Sequence, residues 1–337
     1  MDADVLLVVV IGLALGFDLT NGFHDSSNSL AAPVATRAMT PRQALAVTTL
    51  FTVLGPILAG TAVADTVGGL VEVSTDDLLG ILLAALAAAV GWNLLTWRLG
   101  LPSSSSHALV GGLVGSTIAL AGTSAVNWGG FDGWRPIGVL GVLVALATSP
   151  LIGGLAGWAL DVAARRALRR ADRAVTAPLK SGQWVTSATL AFTHGANDAQ
   201  KTMGLITLAL VAAGALPEFV VPLWVKITCA VAMTVGTAMG GWRIVRTVGR
   251  GIYRIRPLDG LVSQGASTLV IGGAAALGAP VSTTHVVASS VVGVGAARRK
   301  RHVRWRVVRE ILLAWLVTLP GCAALGAAIA WLEGALR

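Results

Sequence analysis

Ten apolar segments divide the chain, at about residues 5–36, 43–64, 77–97, 101–122, 136–163, 184–213, 222–242, 260–278, 280–297 and 307–332. Each approaches or exceeds the roughly 20 residues that a helix needs to cross about 30 Å of hydrocarbon. No polar stretch between them is long enough to fold as a separate soluble domain, so the pattern predicts a single all-α integral membrane domain. The opening run VLLVVVIGLALGF follows Asp2 and Asp4 instead of a basic region and lacks a small-residue cleavage signal, so a first membrane segment is expected there rather than a signal peptide. Polar residues interrupt the apolar pattern inside the first, fourth, sixth and ninth segments, at "NGFHDSSNSLAAP", "GLPSSSSHALVGG", "THGANDAQKTMGL" and "GAPVSTTHVVASS".

Composition agrees with a membrane protein, since 55% of residues are hydrophobic and only 12% charged, far from the balance of a soluble domain. A net charge of +9 could indicate a nucleic-acid partner, but the placement of the basic residues excludes that reading. If every segment crosses once, all Lys and Arg except Arg135, Lys201, Lys226 and Arg337 fall in loops on one side. These are Arg37 and Arg42, Arg98, the stretch from Arg165 to Lys180, the stretch from Arg243 to Arg256, and Arg298 through Arg309. Asp65, Glu72, Asp76, Asp77, Asp132 and Glu218 fall on the other. The basic side is expected to be cytoplasmic, in the cell (plasma or inner) membrane, with both termini extracytoplasmic. The basic stretch 165–183 is expected to link two halves, 1–164 and 184–337. Cys229 and Cys322 lie far apart in apolar runs and are expected to pack as small side chains.

The halves repeat one another. Gly22 and Asp25 in the first segment correspond to Gly195 and Asp198 in the sixth, and Pro102, Ser104, Ser105, Ser106 and His107 correspond to Pro280, Ser282, Thr283, Thr284 and His285, at nearly the same offset. With five segments per half, the second half enters the membrane from the opposite face. The expected fold is therefore two inverted-topology repeats, with a site at their interface.

The repeated residues carry chemistry. A carboxylate at mid-membrane costs about 2.5–3.5 kcal/mol on insertion scales, so Asp25 and Asp198 need compensation from bound cations, protons or a polar cavity. Gly22 and Gly195 beside them predict broken helices whose freed carbonyls could bind an ion. In the Ser/Thr motifs, proline followed by hydroxyl residues predicts a helix start, and hydroxyls gathered at a helix N-terminus make a socket for an oxyanion. For two such ends to meet centrally, each must belong to a re-entrant element. For the histidines that follow, His107 and His285, two readings stand equally: titration near neutral pH, or a ring hydrogen-bonded to a neighbouring carbonyl. A hydrolase using Ser106 and His107 is disfavoured, because adjacent residues on a helix point about 100° apart.

At these residues the chain resembles the inorganic phosphate transporter (PiT) family. "GANDAQK" is similar to its GAND signature, "GFHDSSN" to the first-half variant of bacterial members, and "LPSSSSH" and "APVSTTH" to its paired Ser/Thr motifs. The resemblance covers nearly the whole chain. It implies no enzyme and no cofactor but a symporter, commonly a homodimer in membrane lipid, that imports inorganic phosphate with a coupling cation, H⁺ or Na⁺. A sulfate permease of the same fold is the alternative. Phosphate would be held by Ser104, Ser105, Ser106, Ser282, Thr283 and Thr284, with Gln200 and Lys201 nearby. The coupling cation would be bound or relayed by Asp25, Asn28, Asp198, Asn197 and His24, with Na⁺ possible at Asp25 and Asp198. The chain departs from the GAND pattern at His24, and Lys201 stands where the first half has Asn28. A fixed and a titratable positive charge at these places tilt the expectation toward proton coupling.

Overall fold

The structure is a computed structural model that describes residues 3–72, 75–247 and 251–336; Asp2 and Arg337, named above, and Arg250, within the basic stretch from Arg243 to Arg256, lie outside the described residues. The first half contains α1 (Ala3–Asp25), α2 (Ser27–Ala35), α3 (Pro41–Leu58), α4 (Ala62–Gly68), α5 (Thr75–Leu99) and α6 (Ser105–Ala121). A short antiparallel ribbon, β1 (Gly130–Asp132) with β2 (Arg135–Ile137), follows and leads into α7 (Gly138–Ala167). The second half contains α8 (Thr176–Ala212), α9 (Leu223–Met239), α10 (Trp242–Arg246), α11 (Pro257–Ala276), α12 (Thr283–Arg298) and α13 (Trp305–Leu336). The all-α expectation holds apart from the ribbon, whose apolar tip residues Phe131 and Trp134 are exposed. The basic stretch is only partly a connection, because α8 already starts at Thr176.

Among the described residues, Asp4–Ala35, Asp77–Leu99, Gly138–Ala167 and Trp305–Ala335 are each long and apolar enough to cross a membrane. Pro41–Leu58 with Ala62–Gly68 passes as a pair bent by 71°. The chain is thus a multi-pass membrane protein. Its fourth and ninth segments form shorter helices, of 17 residues in α6 and 16 in α12, and each follows an extended lead.

Helix pairing follows the repeat. α1 packs along α9 as α8 packs along α3, and α6 packs along α13 as α12 packs along α7. Such an exchange of partners is what a two-fold relation between halves produces.

Glycines let the backbones of these pairs approach. A side-chain carbon on Gly22 would lie 2.1 Å from the Met233 carbonyl oxygen, and one on Gly195 would lie 2.6 Å from that of Thr52. This corrects the expectation that the two glycines break their helices. α8 continues unbroken through Gly195, and α1 is interrupted only at Ser26, whose N–H still donates to the Gly22 carbonyl at 3.0 Å. The carbonyls stay in their helices because glycine serves close packing there. The sharp break in the first half falls instead between α3 and α4.

Replacing Gly22 or Gly195 with alanine forces backbone apart in a packed interior, at a cost of about 1–3 kcal/mol. Each variant should melt several degrees below the parent in the same detergent. Gly12→Ala, where no atom lies within 4 Å of the added carbon, should melt with the parent. Equal melting of all three would refute this account of the glycines.

Candidate functional site

The two Ser/Thr motifs open α6 and α12 in equivalent ways. Ser104 and Ser282 are extended N-caps whose side chains accept the backbone N–H groups of His107 at 3.1 Å and His285 at 3.3 Å. Their oxygens thereby satisfy donors that a helix start would otherwise leave unpaired. The next hydroxyls, Ser105 and Ser106 on α6 and Thr283 and Thr284 on α12, lie in the first helical turns and are buried. The helix starts converge, as Ser106 Oγ donates to the Val281 carbonyl at 3.0 Å. The rings of His107 and His285 lie 4.6 Å apart, and His285 stacks on Trp315 at 3.7 Å. His107 Nδ1 lies 2.7 Å from Ser104 Oγ, a side-chain hydroxyl and not a backbone carbonyl.

Both carboxylates reach this convergence. His24 Nδ1 lies 2.6 Å from Asp25 Oδ1, while Ser105 Oγ and Thr283 Oγ1 each approach Asp25 Oδ2 at 3.4 Å. Asp198 Oδ2 accepts from Thr283 Oγ1 at 2.9 Å and lies 3.0 Å from His194 Nε2. The Thr283 hydroxyl therefore stands between the carboxylates of the two halves, and its single proton can be donated to only one of them at a time. Lys201, one turn beyond Asp198 on α8, donates to Asp198 Oδ1, to Ser106 Oγ at 2.6 Å and to the Val281 carbonyl at 3.0 Å. Its three ammonium protons thus have three acceptors, the condition under which a buried charge is tolerated.

The other expected residues divide. Asn28 joins the cluster by donating to Thr284 Oγ1 at 3.2 Å. Asn197 donates at 3.2 Å to the Ala279 carbonyl, in the lead to α12. Gln200 is not brought to the hydroxyls: its Oε1 accepts the Val63 N–H at 2.9 Å and thereby holds the start of α4.

Sequence reasoning passed over His194, which pairs with Asp198. A signal was present, because "NGFHD" and "HGAND" exchange their Asn and His, giving each carboxylate one histidine from a different position. Asp18 was also passed over as a site residue; it accepts from Thr202 at 2.5 Å. Thr96 and Ser103 hold the far nitrogen of His24 at 3.1 and 3.3 Å, and no motif marked them.

Asp25, His194 and Asp198 each offer a ligand atom, all within 4.8 Å of one another, a spacing that a single cation could bridge. Nearby, Asn28 Oδ1 and the hydroxyls of Ser27 and Ser29 are buried without a hydrogen-bond partner. Such groups cost about 1–3 kcal/mol unless something satisfies them, so they mark where water or a polar cargo would be received.

A multi-pass all-α protein whose halves bring hydroxyl-capped helix starts and carboxylates to one buried cluster belongs to the class of membrane transporters, not of enzymes. The chain is a member of the phosphate transporter family, whose sequence pattern matches residues 21–179 and 162–326. It is 39% identical over 334 residues to the "Probable low-affinity inorganic phosphate transporter" of Bacillus subtilis (strain 168), covering 96% of each chain. It is 40% identical to the protein of that name from Rhizobium meliloti (strain 1021), covering 97% of each. A solved structure described as "The sodium-dependent phosphate transporter" superposes with a TM-score of 0.87 at 25% identity, covering 99% of this chain and 100% of the other.

Removing the ammonium while leaving the buried carboxylate should destabilise strongly, by about 3–5 kcal/mol. Lys201→Met is therefore expected to melt well below the parent, and the double variant Asp198→Asn with Lys201→Met should recover much of the loss. Additive losses would contradict the pairing.

Proposed function

We propose that the chain is a secondary active symporter that imports inorganic phosphate with a coupling cation. The observation that carries this reading is the convergence of the α6 and α12 starts beside Asp25 and Asp198, with Thr283 within reach of both. Two helix N-termini, each with roughly half a positive charge, favour a divalent oxyanion between them. Ser105, Ser106, Thr283 and Thr284 offer hydroxyls to the phosphate oxygens, and Ser104 and Ser282 act through the caps that position those turns. Phosphate, unlike sulfate, carries a proton at neutral pH, and the carboxylates of Asp25 and Asp198 accept it. This favours phosphate over the sulfate alternative, as do the relatives' names.

Bringing a divalent anion inward against about 100 mV costs roughly 2 × 2.3 kcal/mol, so about two positive charges must travel with it. In this reading Asp25, His194 and Asp198 form the cation-responsive centre. Lys201 supplies a fixed charge among oxygen atoms that would otherwise suit a small cation. His24 is bonded to Asp25 on one side and to Thr96 and Ser103 on the other, a chain of hydrogen bonds that leads away from the carboxylate. The coupling ion in this reading is H⁺. The basic loops face the cytoplasm, and the two halves are inverted relative to one another.

Radiolabelled phosphate uptake into liposomes, with sodium and proton gradients applied separately, tests cargo and coupling together. Uptake should persist without sodium when the exterior is acidified, excess sulfate should compete weakly, and Thr283→Val should lower uptake at least tenfold at unchanged protein stability. Strict sodium dependence would reject proton coupling, and displacement of phosphate by sulfate would reassign the cargo.

A further inference from the structure

Away from the central cluster, at the ends of α2 and α12, the structure gathers arginines around two adjoining cavities of about 700 and 250 Å³. Arg254, Arg256 and Arg304 line both; Arg37 lines the larger, and Arg298 and His302 the smaller. A positive-inside signal requires only that basic residues lie on one side of the membrane. It does not require arginines from three separate stretches of sequence to face adjoining cavities.

The hollow has a built frame. Ile252, Tyr253 and Ile255 are buried, so residues 252–256, just before α11, are anchored while Arg254 and Arg256 point outward. Asp259 accepts from the Tyr253 hydroxyl, from the Arg256 N–H at 2.9 Å and from Arg165 at 2.6 Å. Arg165 also binds Asp161 at 2.6 Å, so the acids of this frame are already engaged. The Arg304 N–H donates to the Ile252 carbonyl at 3.0 Å. Arg37, Arg254 and Arg298 form no ion pair with a described carboxylate. Desolvation and the charges of Arg298, Arg165 and Arg254 lower the pKa of Arg256. The described residues that line the two cavities include five arginines and no carboxylate.

The larger cavity falls within the roughly 300–1,000 Å³ of small-molecule sites, which suits a ligand carrying several phosphoryl groups. Guanidinium groups match phosphoryl oxygens in charge and in two-point geometry. The hollow is also connected to the central cluster. Ala35 and Thr36, at the end of α2, line it, and Asn28, two turns back on the same helix, donates to Thr284. Thr36 is tied in turn to Gln183 at 2.8 Å, and Gln183 to the Pro257 carbonyl at 3.0 Å.

We propose that this arginine basin is a second anion site, for a compact ligand bearing two or more phosphoryl groups, and that its occupancy restrains α2 and slows transport. The binding claim is independent of the cargo at the central site, and the basin's side of the membrane rests on the orientation proposed above. The phosphoryl groups could come from a soluble polyphosphate or from anionic lipid headgroups.

Inorganic triphosphate is titrated into the purified full chain in uncharged detergent, with inorganic phosphate in excess to fill the central site. Binding is compared with that of Arg254→Gln combined with Arg298→Gln. At least tenfold weaker binding to the double variant supports a soluble ligand. Triphosphate trapped on the basin's side of liposomes should then slow phosphate uptake by the parent and leave the variant unaffected. If triphosphate fails to bind but cardiolipin, whose headgroup carries two phosphates, raises the melting temperature of the parent in nanodiscs and not of the variant, the site takes lipid headgroups, and cardiolipin in liposomes should slow uptake by the parent alone. Should the double variant fold poorly, Arg37→Gln with Arg254→Gln replaces it. Equal responses of parent and variant to both ligands would overturn the site, and binding without any effect on uptake would overturn the restraint on α2.

Discussion

Two carboxylates held close together in an apolar interior are the constraint from which the rest of this structure follows. Like charges in such surroundings repel strongly, and each separately costs several kcal/mol to remove from water. The chain meets that cost locally. Asp25 is paired with His24, Asp198 with His194 and Lys201, and a threonine hydroxyl is shared between the two acids. Nearly every group in the arrangement is a hydrogen-bond donor or a positive charge. A buried pair of acids surrounded in this way is suited to accept protons and cations, and donors facing the same point are suited to an anion.

The halves contribute unequally to this balance although their motifs repeat. The first half places histidine immediately before its aspartate; the second places it one helical turn earlier and adds a lysine one turn later. The lysine bridges to the other half through Ser106, so the ammonium belongs to the interface as much as to α8. Motifs that repeat in sequence therefore carry unequal charge.

Close helix packing makes the convergence possible. With Gly22 and Gly195 admitting neighbouring backbone almost to contact, α1 and α8 carry their aspartates into the centre with no break at the glycines. In the first half the irregular geometry is displaced to the α3–α4 break, where the Gln200 side chain satisfies a freed N–H. Gln200 lies beside Lys201 in sequence yet serves another element, because successive residues on a helix face different directions.

The membrane class, the internal duplication, the paired hydroxyl caps and the two aspartates were all legible in the chain, because each leaves a local mark: apolar length, a fixed offset, proline before serine, charge where none is expected. Thr96 and Ser103 could not be placed from sequence alone, and His194 left only the exchange of Asn and His between the two motifs as its mark. Their importance lies in facing a residue on another helix or a full turn away, and linear spacing does not report which faces meet. The function of Gly22 and Gly195 was misread for the same reason, since a glycine that breaks a helix and one that admits a neighbour look identical in one dimension. Only the tertiary structure decided that Thr283 stands between the acids, that Lys201 reaches Ser106, and that arginines from distant loops line one hollow. Each of those is a distance between segments remote in sequence, and packing alone sets it.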